Sequence, residues 1–390
     1  RVQGTREPGA LTKDIINTVM PYQVTGDDCG STEGVTIGPT NADAHDRYLV
    51  KRVELSSGAV EAGTLLTGSL LTRIKNAGVH QIVVRSPMYC RMQKGICARC
   101  YGKNENGKLH TAGTNIGVIA GNALGEPVTQ LTMQTFHTGG QATGGVVDAF
   151  ARVKQLFSVP KELPDSAELS TVSGAVERVS PDARGGFTVV VAGKPHRVTT
   201  GLVLPNIVAG AHVKKGDPLS SGPVNPRHLL TQTGSISKVR DYLMGEIDLA
   251  YGGQAGKTGM VRRRNIETVV KAMTNLTEIR HADPASGYMR GQLVPLSEVE
   301  EFNAQARNAG GAEVKHLPRL AAMTQLPLAG QEDWLARLNY QRLQTTYQEA
   351  AAQGWSSDVH SHPISGLAHG AEFGSRPFKP LPTPTPRKLR

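Results

Sequence analysis

The sequence has 390 residues, enough for two or three compact units that each bury a core of their own. Only 38% of the residues are hydrophobic and 5% aromatic, while glycine (44) and proline (23) are plentiful, which predicts many loops and a surface partly covered by partners. A formal net charge of +10 favours a polyanionic neighbour such as nucleic acid, although a basic protein without that role would show the same balance. No apolar run is long enough to span a bilayer and no secretory signal is evident, so we expect no membrane partner.

The first segment, residues 1–20, contains a turn signal at EPGA followed by LTKDIINTVM, whose apolar spacing predicts a helix. The second segment, residues 21–112, mixes short strand-like runs with all the cysteines of the chain: Cys29, Cys90, Cys97 and Cys100.

A structural zinc ion binds four ligands in tetrahedral geometry, and the chain has four cysteines. The last two of them have the C-x2-C spacing of a zinc knuckle. Two disulfides are an alternative, but they suit small secreted domains better than a large basic chain. A third interpretation is four unrelated buried thiols. We therefore predict a structural zinc site in the segment 21–112.

Residues 113–160 are predicted to form two helices and, beyond a glycine-rich loop, a third. Gly125 suits the end of the first helix and Pro127 the first turn of the next. That next helix carries a polar stripe at i, i+3, i+4 and i+7, formed by Gln130, Met133, Gln134 and His137. Glutamine can form hydrogen bonds with a sugar, methionine can pack on a flat base and histidine can contact a phosphate. The stripe therefore suits the binding of a nucleotide. An ordinary helical hairpin with a solvated face is the alternative.

Residues 161–225 are β-rich, with short runs separated by Gly, Pro and Asn turns. Residues 226–365 are predicted to be mainly helical, and residues 366–390 form a basic, proline-rich tail. The triplet Arg262, Arg263 and Arg264 suits nucleic-acid contacts, although intersubunit salt bridges or plain surface would explain it as well. Taken together, the segments predict a mixed α+β, multi-part fold.

Several motifs in this order resemble the C-terminal part of β′, the largest subunit of bacterial multisubunit RNA polymerase. The stretches most similar to that family are DDCGSTEG, CRMQKGICARCYG and IGVIAGNALGEPVTQLTMQTFHTGG. The start, TREPGALTKDI, resembles the end of the bridge helix, and VAGAHVKKGDPLSSGP is similar to the jaw-side β segment. LPRLAAMTQLPLA and NYQRLQTTYQEAA are similar to the clamp-base and switch segments. The likeness runs from about residue 5 to about residue 374, dense before residue 160 and thin between residues 161 and 315.

The resemblance implies roles at the matching positions. Residues 125–157 correspond to the trigger loop, in which Gln130 would approach the ribose of the incoming nucleoside triphosphate, Met133 its base and His137 its phosphates. His137 would then act as a positional or an acid catalyst. Cellular enzymes of the family carry Arg where this chain has Gln134, so a charged phosphate contact is missing here. The four cysteines would bind the family's second zinc ion.

The resemblance also implies what the chain lacks. The Asp-rich magnesium motif is absent, and phosphoryl transfer needs metal ions, so Mg would be bound by another subunit. The resemblance thus implies a chain that is not an independent compact enzyme. We expect a split β′ whose partners are a β′ N-terminal-like subunit, β-like subunits and a specificity factor, together with template DNA and RNA; a fragment of an intact β′ subunit is the alternative. The minimal trigger loop fits a giant-phage polymerase, placed in the cytoplasm of an infected bacterium or in the virion.

Two other classes of protein compete with this interpretation. A biotinyl or lipoyl carrier is disfavoured because no displayed Met-Lys-Met or Asp-Lys-Ala motif is present. A stand-alone zinc-containing nucleic-acid-binding protein or polymerase inhibitor would use the basic tail and the arginine triplet, but it has no need of the stripe at residues 130–137.

Overall fold

A computed structural model describes residues 2–56, 58–93, 95–137, 149–199, 201–252, 261–326 and 343–354. Within residues 129–137 it describes the backbone and not the side chains. The predicted basic tail, the glycine-rich loop at residues 138–148 and residues 327–342 and 355–365 of the segment predicted to be helical lie outside the described residues.

Ten α-helices lie in the described part of the chain. They are α1 Val2–Val19, α2 Gly68–Asn76, α3 Ala98–Tyr101, α4 Ile116–His137, α5 Ala149–Ser158, α6 Pro226–Thr233, α7 Ile236–Ala250, α8 Arg263–Thr274, α9 Leu296–Ala309 and α10 Leu343–Gln353. None of these helices combines the length and the apolar character needed to cross a membrane.

The described strands form four small sheets. They are β1 Val24–Gly26, β2 Val35–Ile37, β3 Ile82–Val84, β4 Ile96–Cys97, β5 Gly174–Pro181, β6 Phe187–Val191, β7 Lys194–Val198, β8 His212–Val213, β9 Leu276–His281, β10 Leu293–Val294 and β11 Lys315–Arg319. β1 and β4 pair in parallel, and β2 pairs with β3 antiparallel. The larger sheets are antiparallel, with strand orders β7-β6-β5-β8 and β10-β9-β11.

Helices α1 and α4 pack closely because α4 presents a glycine every fourth residue to α1. A Cβ atom added at Gly117 would lie 1.8 Å from the carbonyl oxygen of Val19, and one added at Gly125 would lie 2.4 Å from Cγ2 of Thr12. At Gly121, between them, it would lie 3.0 Å from Cγ1 of Ile16. Residues spaced by four lie on one face of a helix, so these glycines form a groove that receives α1.

Two predicted helix breaks are wrong. Gly125 does not take a left-handed conformation, and α4 continues through Pro127 to His137 as one helix. Likewise α1 runs through Pro8, where a turn was predicted at residues 7–10. In both cases the helix is held by packing against its neighbour, with Ile15 and Leu124 fully buried, and this outweighs the one backbone hydrogen bond that a proline removes.

One large core joins elements from distant parts of the chain. Its buried side chains include Ile15 of α1, Leu124 of α4, Val153 of α5, Leu243 of α7 and Val269 of α8. The predicted segments 1–20, 113–160 and the start of 226–365 therefore share a single interior. The four-stranded sheet β5–β8, which lies in the predicted β-rich segment, has a separate core around Val189.

The prediction that residues 226–365 are mainly helical is wrong for residues 276–319. There the three-stranded sheet β9–β11 packs with α9 around Ile279, Val294, Val299 and Val314. Thr277 and Ile279 are buried while the residues between and after them are not, which is the alternation of a half-buried strand. The fold is thus mixed α and β, as predicted, but the strands extend further along the chain.

Candidate functional sites

The first candidate site is the cluster of four cysteines, which two distant stretches of chain bring together. β1 pairs with β4, so Cys29, which follows β1, is placed beside Cys97 in β4 and Cys100 in α3. Cys90 ends a short 3₁₀ turn at Pro87–Tyr89. Gly95 makes this packing possible, since its φ is +76° and an added Cβ atom would lie 2.2 Å from the carbonyl oxygen of Gln23.

The four sulfur atoms converge on one point. All lie within 4.8 Å of one another, and the Sγ atoms of Cys29 and Cys100 are 3.6 Å apart. Sulfurs at about 2.3 Å from a tetrahedral zinc ion are separated by about 3.8 Å, so the donor set and its spacing fit that ion. The four thiols are free, which is at odds with the disulfide alternative.

Backbone amides of the knuckle point at the sulfurs, as thiolate ligands require. The amide nitrogen of Cys97 donates to Sγ of Cys90 at 3.2 Å, and that of Cys100 donates to Sγ of Cys97 at 3.4 Å. The amide of Arg91 donates to Sγ of Cys29 at 3.4 Å. Such donors stabilise negative charge on sulfur, so the cluster can hold a metal cation.

Two basic side chains that sequence reasoning missed also reach this cluster. Arg85 lies at the end of β3 with its guanidinium among the sulfurs, only 7% exposed. Lys271 of α8 donates its ammonium to the carbonyl oxygen of Cys90 at 3.0 Å, and burial lowers the pKa of Lys271 to about 8. The sequence feature that could have pointed to Arg85 is a charged residue directly after the apolar run IVV, five positions before Cys90.

A buried network of ion pairs ties the cysteine segment to α8. Arg47 is fully buried, donates to both carboxylate oxygens of Glu267 at 2.8 and 3.0 Å, and pairs with Asp43 at 2.6 Å. Ser86 donates to the same Glu267 carboxylate at 2.7 Å. Buried charges are stable only when paired and hydrogen-bonded, and this set meets that condition for Glu267.

The arginine triplet is divided by this network, and the prediction of a nucleic-acid contact is corrected for Arg264. Arg264 is 3% exposed and donates to the carbonyl oxygens of Lys103 and His45 at 2.8 and 2.9 Å. Its guanidinium is thus used inside the chain. Arg263 pairs with a carboxylate oxygen of Asp248 at 3.4 Å. Arg262 is half exposed and lies 3.6 Å from Glu105. For Arg262 and Arg263 a nucleic-acid contact stays a prediction.

The second candidate site is the far end of α4. One face of α4 before residue 129 is buried in the core, where Leu124 and Val128 are fully covered, while Ile119 is 40% exposed. Thr12 donates its hydroxyl to the carbonyl oxygen of Gly125 at 3.3 Å, and Tyr251 donates to that of Leu124 at 3.0 Å. The first half of the helix is therefore fixed.

Beyond residue 128 the helix backbone continues to His137. The side chains of Gln130, Met133, Gln134 and His137 lie outside what the structure describes. Their assignment as a nucleotide-facing stripe therefore stays a prediction.

Helix α5 returns the chain to the same core. Its apolar side chains Phe150, Val153 and Phe157 are all buried in that core. On its other side α5 is held by Arg152, which pairs with Glu246 and donates to the hydroxyl of Tyr242 at 2.8 Å, both on α7.

Comparison with known proteins agrees with this geometry. The family model described as RNA polymerase Rpb1, domain 5, matches residues 4–184, which contain α1, the four cysteines, α4 and α5. A protein of Finegoldia magna named DNA-directed RNA polymerase subunit beta' is 28% identical over 369 residues, covering 90% of this chain and 30% of the relative. Proteins of the same name from Ureaplasma urealyticum and Clostridium novyi are 30% identical over 319 residues and 27% identical over 389 residues.

These matches define the class of protein as a largest subunit of a multisubunit RNA polymerase. Coverage of this chain reaches 76% for the Ureaplasma protein and 95% for the Clostridium protein, whereas the chain spans only 24% and 32% of those relatives. The chain belongs to the β′ family and corresponds to a C-terminal part of that subunit.

Proposed function

We propose that this chain supplies the trigger loop to a DNA-dependent RNA polymerase and acts only within that assembly. The observation that carries the proposal is the two-part helix α4. Leu124 and Val128 of α4 are buried in the core, and the helix backbone continues to His137 through the residues whose sequence spacing forms the stripe of Gln130, Met133, Gln134 and His137. A helix of this kind, followed by a glycine-rich connection, suits a lid that folds and unfolds around a substrate.

In this proposal the lid closes when the correct nucleoside triphosphate pairs with the template. Gln130 would contact the ribose, Met133 would pack on the base and His137 would meet the phosphates. Closure expels water and aligns the triphosphate for attack, and release of the lid allows translocation. Gln134 has no charge to offer the phosphates, so closure gains less electrostatic energy than with arginine unless another subunit supplies the contact.

The four cysteines would hold a structural zinc ion, which supplies no reaction chemistry and joins the stretch after β1 to the knuckle around Cys97. Mg ions, needed for phosphoryl transfer, would be bound by another chain. The partners would be a β′ N-terminal-like subunit, β-like subunits, a specificity factor, template DNA and the RNA product. A split β′ of a giant phage is the setting that we propose for these partners.

The remaining segments take their roles from the same family. Helix α1 would be the end of the bridge helix and its continuation. The sheet β5–β8 would belong to the jaw, and the region from α6 onwards would belong to the clamp base and switch. Each role is a proposal that a structure of the assembled enzyme would test directly.

The decisive experiment has two arms. The tagged chain is purified from its source cells, and its copurifying chains are identified and searched for the magnesium-binding aspartates. The assembled enzyme is then rebuilt with His137→Ala, and single-nucleotide addition is timed. Loss of a residue that aids proton transfer or phosphate alignment should slow addition by about 100-fold or more while assembly is unchanged.

Thr132→Ala is the matched control, because Thr132 lies on the opposite side of the helix from the stripe. Equal rates for the wild type, His137→Ala and Thr132→Ala would refute the lid. A monomeric chain that binds nucleic acid without partners would instead support the stand-alone binder or polymerase inhibitor. The burial of Arg264 weighs against that alternative, because one of the three arginines proposed to contact nucleic acid lies inside the fold.

A further inference from the structure

The side chain of Arg85 makes the closest charged contact with the cysteine cluster in the described part of the chain. Its Nη2 donates to Sγ of Cys29 at 3.2 Å and to Sγ of Cys100 at 3.3 Å, and its Nε donates to Sγ of Cys100 at 3.3 Å. Cys97 lies slightly further away, at 3.7 Å from Nη2. One planar group thus touches three of the four candidate ligands.

Both ends of Arg85 are fixed by other residues. Its amide donates to the carbonyl oxygen of Tyr48 at 2.8 Å, and its own carbonyl oxygen accepts from Nη1 of Arg47 at 3.3 Å. At the tip, Nη2 donates to a carboxylate oxygen of Asp28 at 2.7 Å. The guanidinium is therefore held by residues other than the candidate metal ligands, so little side-chain entropy is lost in keeping its contacts with sulfur.

The charge of the site explains why an arginine is useful there. Four thiolates around a divalent ion leave a net charge of about −2, which is costly to bury without a compensating cation. Arg85 offsets one of these charges and cannot lose its proton at any relevant pH. It also lies against Cys29, the one cysteine of the four that is not buried and is thus most open to a competing chelator.

We propose that Arg85 is the positioning residue that sets how slowly this chain releases its metal. The guanidinium holds the thiolates of Cys29 and Cys100 in place and lowers the net charge of the site. This inference rests on the zinc part of the proposed function and is independent of the trigger-loop part.

The test measures zinc release from the full chain in its purified complex. Samples are mixed with excess 4-(2-pyridylazo)resorcinol, a dye whose absorbance changes when it takes up zinc. Arg85→Gln should release zinc about tenfold or more faster than the wild type, since loss of an outer-shell partner commonly costs 10- to 100-fold in metal affinity. Arg85→Lys should fall between the two, because an ammonium keeps the charge but lacks the planar fork.

Arg99→Gln is the matched control. Arg99 lies beside the same ligands and donates to the other carboxylate oxygen of Asp28 at 3.0 Å, but its side chain is 45% exposed. If release depended only on positive charge near the site, Arg99→Gln would match Arg85→Gln. We expect it to stay within about twofold of the wild type, as for a solvent-screened charge. Equal release from the wild type and Arg85→Gln would overturn the proposal, and so would equal release from the two glutamine variants.

A spectroscopic measurement separates this role from a general loss of stability. In cobalt-substituted Arg85→Lys, the sulfur-to-metal charge-transfer band should move to lower energy, because the thiolates have lost N–H···S hydrogen bonds and their electrons are held less tightly. An unmoved band would overturn the proposal. Wild-type chain that carries no zinc would overturn both this inference and the metal assignment, while the His137 experiment would still decide the trigger loop on its own.

Discussion

Tyr251, the residue that ends α7, donates its hydroxyl to the carbonyl oxygen of Leu124 in α4 at 3.0 Å. The tyrosine is fully buried, and burial raises its pKa well above the usual range, so the hydroxyl stays a donor at every working pH. Leu124 lies three residues before Pro127, at the end of the part of α4 that the core fixes. This contact ties α4 to the end of α7.

Tyr251→Phe should lower the free energy of unfolding by about 1 kcal/mol, the usual net value of one buried hydrogen bond. The ring and its packing are kept, so only the hydroxyl is tested. Denaturant melts of the full chain measure the change. A variant as stable as the wild type would show that the bond contributes nothing.

Gly125→Ala should destabilise the chain by about 1–3 kcal/mol, because the new methyl group overlaps Thr12 of α1. Thr12→Ala removes the atoms that the new methyl group would strike, so the double variant should be more stable than the sum of the single changes predicts. Gly9→Ala is the control within α1, since nothing lies within 4 Å of an added Cβ atom there. That change should stabilise the helix by up to about 1 kcal/mol. Thermal melts of the four variants test the glycine groove.

Glu267→Gln should be among the most damaging single changes, at about 3–5 kcal/mol, because it leaves Arg47 buried with only part of its charge balanced. The exposed pair Arg52 and Glu54 provides the control, and Arg52→Gln should leave the unfolding curve almost unchanged, because solvent screens the pair. Urea unfolding curves compare the two. Similar costs for both variants would contradict the view that burial sets the importance of the Arg47–Glu267 pair.

The β5–β8 sheet should become less stable as the pH falls. The backbone amide of Thr171 donates to Nε2 of His196 at 2.9 Å, so this buried histidine is an acceptor and must be neutral there. Burial lowers the pKa of His196, and the unfolded chain therefore takes up a proton first as the pH falls through the ordinary value. Stability is thus full above about pH 6.5 and declines below it.

His196→Gln keeps an acceptor without a titrating ring, so its melting temperature should change less between pH 7.5 and pH 5.5 than that of the wild type. His110 and His316 also have pKa values lowered by burial, and they should leave a residual pH dependence in the variant. An identical pH dependence in both proteins would exclude His196 as the cause.

Removal of the metal should loosen the segment that contains the cysteines. We expect the purified wild type to contain about one zinc ion per chain, and Cys97→Ser to contain little, because a hydroxyl is a poor zinc ligand. Chelation of the wild type should lower its melting temperature, and added zinc should restore it. Metal analysis of each sample accompanies the melts. A melting temperature unchanged by chelation would contradict a structural role.

Much of the cysteine site could be predicted from the sequence, because ligand type and knuckle spacing are local features. Cys29, Cys90, Cys97 and Cys100 were all found in this way. Arg85 was not, since nothing in a strand sequence tells which distant sulfurs its end will meet. The same limit applies to Arg264, whose place inside the fold depends on Asp43, 221 residues earlier in the chain.

Helix boundaries were less predictable where tertiary packing overrides a local signal. Gly125 was interpreted as a helix end because glycine often takes a left-handed conformation, yet here it serves the close approach of α1. The spacing of Gly117, Gly121 and Gly125 was the available clue. The strands β9–β11 were missed because they are short and half-buried and flank a clear helix: β9 and β10 lie between α8 and α9, and β11 follows α9.

Helix α7 and the residue that ends it contact both α4 and α5. Tyr251 at its end holds α4, and Tyr242 with Glu246, further back on the same helix, holds α5. Helices α4 and α5, which lie before and after the connection at residues 138–148, therefore both contact α7 or the residue that ends it. Extra residues inserted between positions 138 and 148 would add only the slowly growing entropy of a longer closed loop, about 0.6 kcal/mol per doubling. Evolution can therefore lengthen or shorten this connection without redesigning the scaffold that bears it.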